Sequence, residues 1–249
     1  MKLKLIFLLL FLAVCSQPQK SLPEFTPPGW IDGETSVFSV RRNDSLVFRR
    51  TITVELDEEA GEPVLVFRSV VESESAPFFF LDSTIFTLTR YTLKPCWLYR
   101  TVASEISISE VEVTFDSDAI TLQKNTIDGT SKLTLKPLPY SYCMEMLPML
   151  LRAVPLDPGL KFTLSGIIPL EMRTQPVQVK VLGTRLVTTP LGEILCREIE
   201  TATRGRTVRL LYELADPHRL IAIRDEENST ETVLSQFFIQ EPQTTLPEE

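Results

Sequence analysis

The residue pattern predicts an all-β protein: an antiparallel meander forming a curved sheet, half-barrel or sandwich, with one short helix near residues 142–153. Three observations lead there. Apolar and polar residues alternate with a period of two through most of the chain, so each segment has an inward face and a wetted one. The gaps between these segments are short, and a few residues can join only antiparallel neighbours, because parallel pairs need long crossovers. Turn formers punctuate the runs. Of 9 glycines, Gly61, Gly129, Gly159, Gly192 and Gly205 fall between strand-like segments, and of 18 prolines, Pro63, Pro95, Pro137, Pro155, Pro176, Pro190 and Pro217 sit at run boundaries. With 249 residues, 43% of them hydrophobic, the chain is long enough to bury a core within one domain.

In chain order, residues 1–15 read MKLKLIFLLLFLAVC: Lys2 and Lys4, then an apolar run from Leu5 to Val14. That run is far short of the roughly 20 residues a membrane-spanning helix needs. A basic start before a short apolar run is a secretory signal, so the protein is expected to be exported. Residues 16–30 are polar and proline-rich, as a tether would be. A single antiparallel β domain is expected over 31–239, followed by an unstructured tail over 240–249.

Within the domain, residues 46–56 alternate cleanly, with Leu46, Phe48, Ile52, Val54 and Leu56 on one face and Arg50 interrupting it. Arg50 could pair with a buried acid, point into a cavity or snorkel at an edge. Residues 64–71 are apolar on both faces and read as a central strand. A bulky cluster, Phe78, Phe79 and Phe80, precedes a threonine-rich run over 83–93. Ile106 and Ile108 set one phase whereas Val111, Val113 and Phe115 set the other, which predicts a β-bulge near 109–110 or a strand changing partner. Short strands are expected over 119–126 and 131–135.

The stretch PLPYSYCMEMLPMLLRAVPLDPG breaks the β pattern: Pro148 suits the first turn of a short helix that Pro155 ends. Met144, Met146 and Met149 either pack that helix on a sheet or line a lipid-facing opening. Strands then follow over 161–170, 177–187, to about 203, over 208–214, 220–223 and 232–239, an antiparallel meander with turns at Pro190, Gly205 and Pro217.

The formal charge is −8, and loss of the leader makes it two units more negative, so nucleic acid is an unsuitable partner. Chemistry is sparse. The only histidine, His218, lies in a turn beside Pro217, and no G-x-S-x-G nucleophile turn exists. Cys15, Cys96, Cys143 and Cys196 are widely spaced and none forms a C-x-x-C pair, so no metal site is expected. The acids fall mostly in turns (Asp57, Glu58, Glu59; Asp225, Glu226, Glu227) or on exposed faces (Glu110, Glu112), as solvated charge. No catalytic residue and no cofactor is expected.

Leu12-Ala13-Val14-Cys15 resembles the lipobox of bacterial lipoproteins, with Val14 where a small residue is usual. That resemblance implies acylation at Cys15 and an N-terminal lipid anchor in a membrane; ordinary cleavage between Cys15 and Gln17 is the alternative. Further motifs, TLKP (92–95), MLLRAVPLDPG (149–159), VKVLGTRLVTTPLGEILCREIE (179–200) and LLYELADPHRLIAI (210–223), resemble the exported bacterial family called domain of unknown function 3108. The resemblance spans about 31–238, is strongest from Leu150 onward, and implies an envelope location and antiparallel β architecture without catalytic residues.

Together these readings predict a non-enzymatic lipoprotein of the cell envelope, periplasmic and anchored to the outer membrane, that binds a lipid-like or other apolar ligand. A docking or structural component of envelope assembly machinery is the second reading, and a carboxylate-dependent hydrolase the last. The candidate apolar surface is Phe78, Phe79, Phe80, Met146, Met149 and Leu150.

Overall fold

A computed structural model describes residues 23–74 and 79–240. The expected leader with Cys15, residues 16–22 of the expected tether, Phe78 and residues 241–249 of the expected tail lie outside the described residues. Among the described residues the period-two pattern produces fifteen strands. They are β1 (Glu34–Arg42), β2 (Ser45–Glu59), β3 (Glu62–Ser73), β4 (Phe80–Thr89), β5 (Pro95–Ser104), β6 (Ile108–Phe115), β7 (Ile120–Thr126) and β8 (Gly129–Leu135). After these come β9 (Ser141–Cys143), β10 (Lys161–Ile168), β11 (Arg173–Thr189), β12 (Gly192–Thr203), β13 (Arg206–Glu213), β14 (Leu220–Asp225) and β15 (Thr230–Ile239). Between β9 and β10 lies the helix α1 (Leu147–Leu150), flanked by single 3-10 turns, Met144–Met146 and Leu151–Ala153. Pro148 stands in the first turn of α1, where its missing N–H has no intrahelical partner to lose.

All strands join one curved, unclosed sheet in the order β8-β7-β6-β5-β4-β3-β2-β1-β15-β14-β13-β12-β11-β10-β9. Two meandering arms therefore meet at a central seam where β1 pairs antiparallel with β15, from Glu34 opposite Ile239 to Arg42 opposite Thr230. Gln240 extends the seam by donating to the Gly33 carbonyl at 2.9 Å, so the ladder reaches the first residue of the expected tail. The sheet is antiparallel except for the three-residue β9, which lies parallel to β10 because α1 supplies the crossover.

Antiparallel hairpins place the turns after β1, β3, β5, β7, β10, β12 and β14 on one rim, hereafter the first rim. The turns after β2, β4, β6, β11 and β13 occupy the second rim. Helix α1 and its flanking turns lie against the concave face, and the 3-10 turn Pro169–Glu171 packs on β6 and β7. There Lys124 Nζ donates to the Leu170 carbonyl at 2.7 Å, tying the two arms together without a backbone ladder.

The core joins both arms and the helix: Phe38, Val54, Phe67, Phe86, Leu98, Val113 and Leu122 meet Met146, Leu150, Leu151, Val179, Ile199 and Leu211. As expected of a central strand, β3 buries four consecutive residues, Val64 to Phe67.

Several sequence expectations need correction. The strands β1 and β5 were not anticipated. The bulge at 109–110 does not exist: β6 pairs with β5 and β7 without a register shift. Ile106 belongs to the turn after β5, closed by Ser107 O accepting from Ser104 N at 2.8 Å, and Ile108 stands exposed on the face of β6 opposite Val111 and Val113. The strand expected to reach Leu93 ends at Thr89, and Leu93 turns inward with φ 52° to become core. The domain also begins earlier than Ile31. Phe25 meets Tyr142 and Phe162 edge-on at 6.3 Å, Thr26 N donates to the Ala153 carbonyl at 2.9 Å, and Trp30 is buried against Phe67. Apolar side chains at Phe25 and Trp30 draw the end of the expected tether onto the domain.

Candidate functional site

The sheet scatters the residues singled out in the sequence. Met146, Met149 and Leu150 are core, packed between the helix and the sheet, and line none of the cavities described below. Phe80 is partly buried against Phe48, with centroids 5.2 Å apart, and Phe79 is 57% exposed at the first rim. Met144, at the start of the helical segment, is the methionine that reaches a cavity.

An apolar cleft of about 800 Å³ opens at the second rim. The turns after β4 and β6, the link between β8 and β9, and the N-terminal segment form its walls, with Phe25, Phe115, Ile120, Leu138, Tyr140 and Tyr142 as its apolar lining. Proline dictates this wall locally: Pro137 and Pro139 hold the link extended and prevent it from continuing the ladder. Ser141 Oγ donates to the Leu138 carbonyl at 2.9 Å and closes the bend that exposes Leu138 and Tyr140. Burial pushes the Tyr142 phenol up to about 12, aided by neighbouring Tyr140. Lys94, Asp116, Thr89 and Thr92 ring the cleft with polar groups. A cleft of this size and lining suits an apolar ligand with a polar end.

A second cavity, about 290 Å³ and polar, opens toward the first rim. Alternation on four adjacent strands aims Arg50 (β2), Ser69 (β3), Asp82 and Thr84 (β4) and Arg100 (β5) at the helical segment, which contributes Met144, Glu145 and Pro148. Arg100 donates through Nε and Nη2 to both Asp82 oxygens, at 2.9 and 2.7 Å, and through Nη1 to Glu145 Oε1. Burial pushes the Glu145 carboxyl up against the pull of Arg100, and its Oε2 is buried without a partner. Asp82 and Glu145 thus converge on one guanidinium, which engages both Asp82 oxygens and one of the two Glu145 oxygens.

Behind this cavity a second charged pair is sealed in the core. Arg152, 2% exposed, donates through Nη1 to Glu34 Oε1 at 2.6 Å and through Nη2 to the Pro217 carbonyl at 3.2 Å, with its guanidinium 5.5 Å from the Trp30 ring centre. Tyr212 Oη donates to the Pro148 carbonyl at 2.8 Å, and burial holds this phenol far above its ordinary range. These bonds fix the helix to the seam and to β13. His218 is a turn residue with φ 55°, its Nδ1 3.1 Å from the Glu213 carbonyl. Among the described residues no group of three or more His, Cys, Asp and Glu is arranged to hold a metal, and no helix is long and apolar enough to cross a membrane. Cys96, Cys143 and Cys196 are free thiols, the last two buried.

No family model matches the chain, and no curated protein matches it. Solved structures similar in the course of the chain include a β-barrel-like protein of domain of unknown function 1849 from Brucella abortus, with a TM-score of 0.49 and 10% identity, covering 85% of this chain and all of that one. A candidate exported protein with a YmcC-like fold from Bacteroides fragilis scores 0.32 at 11% identity, covering 87% of this chain and 100% of its own. A candidate lipoprotein from Parabacteroides distasonis scores 0.36 at 10% identity, covering 88% of this chain and 100% of its own. None of the three is described as a member of the 3108 family, so the resemblance drawn from the sequence motifs is not matched at the level of that family.

Proposed function

We propose that this protein is an exported, non-catalytic binding module of the cell envelope that holds a lipid-like ligand in the cleft at the second rim. One observation carries the reading: a cleft of about 800 Å³ bounded by Phe25, Phe115, Ile120, Leu138, Tyr140 and Tyr142. The short basic-apolar leader supports export, and the lipobox-like Leu12–Cys15 supports a lipid anchor on Cys15. Native mass spectrometry of protein purified gently from an envelope fraction tests it. A stoichiometric added mass, released as a lipid on denaturation and lost in Leu138→Glu, is the expected result. Because Leu138 is 57% exposed, that substitution leaves the fold intact. A bare chain for the wild type, or an adduct equally retained by Leu138→Glu, would overturn the cleft as the ligand site.

A docking role in envelope assembly is the second reading, favoured by the first rim. Successive hairpin tips there expose large apolar side chains: Phe79 57%, Ile106 91% and Ile127 83%. Such residues have no folding reason to stand in water, and in a row they suit a partner surface.

A further inference from the structure

The polar cavity at the first rim contains three arginines that the protein treats differently. Arg100 is fully engaged by Asp82 and Glu145. Arg206, from the turn after β12, also lines the cavity but donates through Nε and Nη2 to Asp225 at 3.0 and 2.7 Å. Arg50 has only a neutral hydroxyl, with its Nε donating to Ser69 Oγ at 3.0 Å. Among the described residues no carboxylate forms an ion pair with it. Its guanidinium therefore presents its Nη atoms to a cavity of about 290 Å³. Burial above all, and then Arg100, works against its charge, and the attraction of Asp82, Glu145 and Tyr212 offsets that only in part.

Arg50 is half-buried, and a guanidinium partly withdrawn from water without a counterion is costly, while its planar fork matches the two oxygens of a carboxylate or phosphate. The strand period adds a second feature. Phe48 and Phe80 lie on the same faces as Arg50 and Asp82, one step nearer the first rim, and their rings pack at 5.2 Å. The charged groups are deep and the aromatic pair stands toward the rim.

From this arrangement we infer that Arg50 receives an oxyanion, a carboxylate or phosphate group, at a ligand site separate from the apolar cleft of the second rim. The Nη atoms of Arg50 form the fork, Ser69 fixes its plane through Nε, and Arg100 adds positive potential while holding Asp82 and Glu145 away from the anion. Thr84 supplies a hydroxyl at the cavity wall. The source is either a small free oxyanion or the headgroup of an amphiphile whose chain lies across Phe48 and Phe80.

The purified protein is titrated with acetate, inorganic phosphate and octanoate, following the melting temperature and the Arg50 Nε–H resonance. At least one probe is expected to act saturably on both, with affinity at least tenfold weaker in Arg50→Met and in Arg50→Lys, which keeps charge but loses the fork. Arg68→Met, removing an exposed arginine paired with Glu55, is expected to bind as the wild type. Without anion, Arg50→Met is expected to melt no lower than the wild type. Saturation by acetate or phosphate identifies a free oxyanion, and saturation by octanoate alone identifies an amphiphile headgroup. Failure of all three probes to move the Arg50 resonance, or an Arg50→Met protein that responds like the wild type, overturns the site. If Arg50→Met does not fold, the wild-type resonance decides alone.

Discussion

Arg152 and Glu34 illustrate how a single residue pair organises this fold. They are 118 positions apart, both almost fully buried, and they join the end of the helical segment to the first residue of the seam. Removing one partner leaves the other charged and unsolvated, at a cost of about 3–5 kcal/mol. Arg152→Met and Glu34→Gln are each expected to lose stability of that order in urea denaturation, and the double variant to regain most of it. Equal losses that simply add would show that the two side chains act independently. The pairing was not legible in the sequence, because partners so far apart share no local pattern. The same holds for Asp225, which reads as a solvated turn acid but is buried and accepts from Arg206 and Asn228. Arg50 was legible as an anomaly, since alternation placed a charge on an apolar face. Which of its possible environments applied depended on what three other strands and the helix brought opposite it.

At the scale of elements, β10 shows what close packing demands. A Cβ on Gly166 would lie 2.5 Å from Val177 Cγ2 and 2.9 Å from Met144 Sδ, so only glycine lets β10 pass between β11 and the helical segment. Gly166→Ala is expected to cost about 1–3 kcal/mol through overpacking, read as a lower denaturation midpoint. A neutral result would mean that Met144 swings aside without loss. The strands of the second arm matched their alternation closely because each has a clear wetted face. Strand β5 escaped notice because Trp97, Leu98 and Tyr99 run together without alternation, and β1 because it is buried on both sides of the seam. The methionines of the helical segment looked able to line an opening. A short amphipathic segment offers the same residues to a core or to a cavity, and here the concave sheet takes Met146 and Met149 as core.

For the whole molecule, the decisive feature is the β1–β15 seam, which makes the two chain ends the middle of the sheet. Neither arm can complete its core without the other, because the helix connecting them is buried against both. Unfolding in urea is therefore expected to be a single transition, coincident by circular dichroism and by fluorescence of Trp30 and Trp97. Phe38→Ala, at the seam and 1% exposed, is expected to shift both probes together by about 3–5 kcal/mol. Two separated transitions would mean that the arms fold independently.

The sequence by itself determined the all-β class, the antiparallel meander of the second arm, and the place of the one short helix. Each of these is a local property, set by period, turn residues and proline, and local properties are written in neighbouring positions. The tertiary structure alone decided that the sheet remains open and meets at its termini, that the apolar cleft lies at the second rim away from the predicted phenylalanines and methionines, and that Arg50 faces a cavity without a carboxylate partner. Those outcomes depend on which strands become neighbours, and pairing between distant segments is settled by the packing of the whole core.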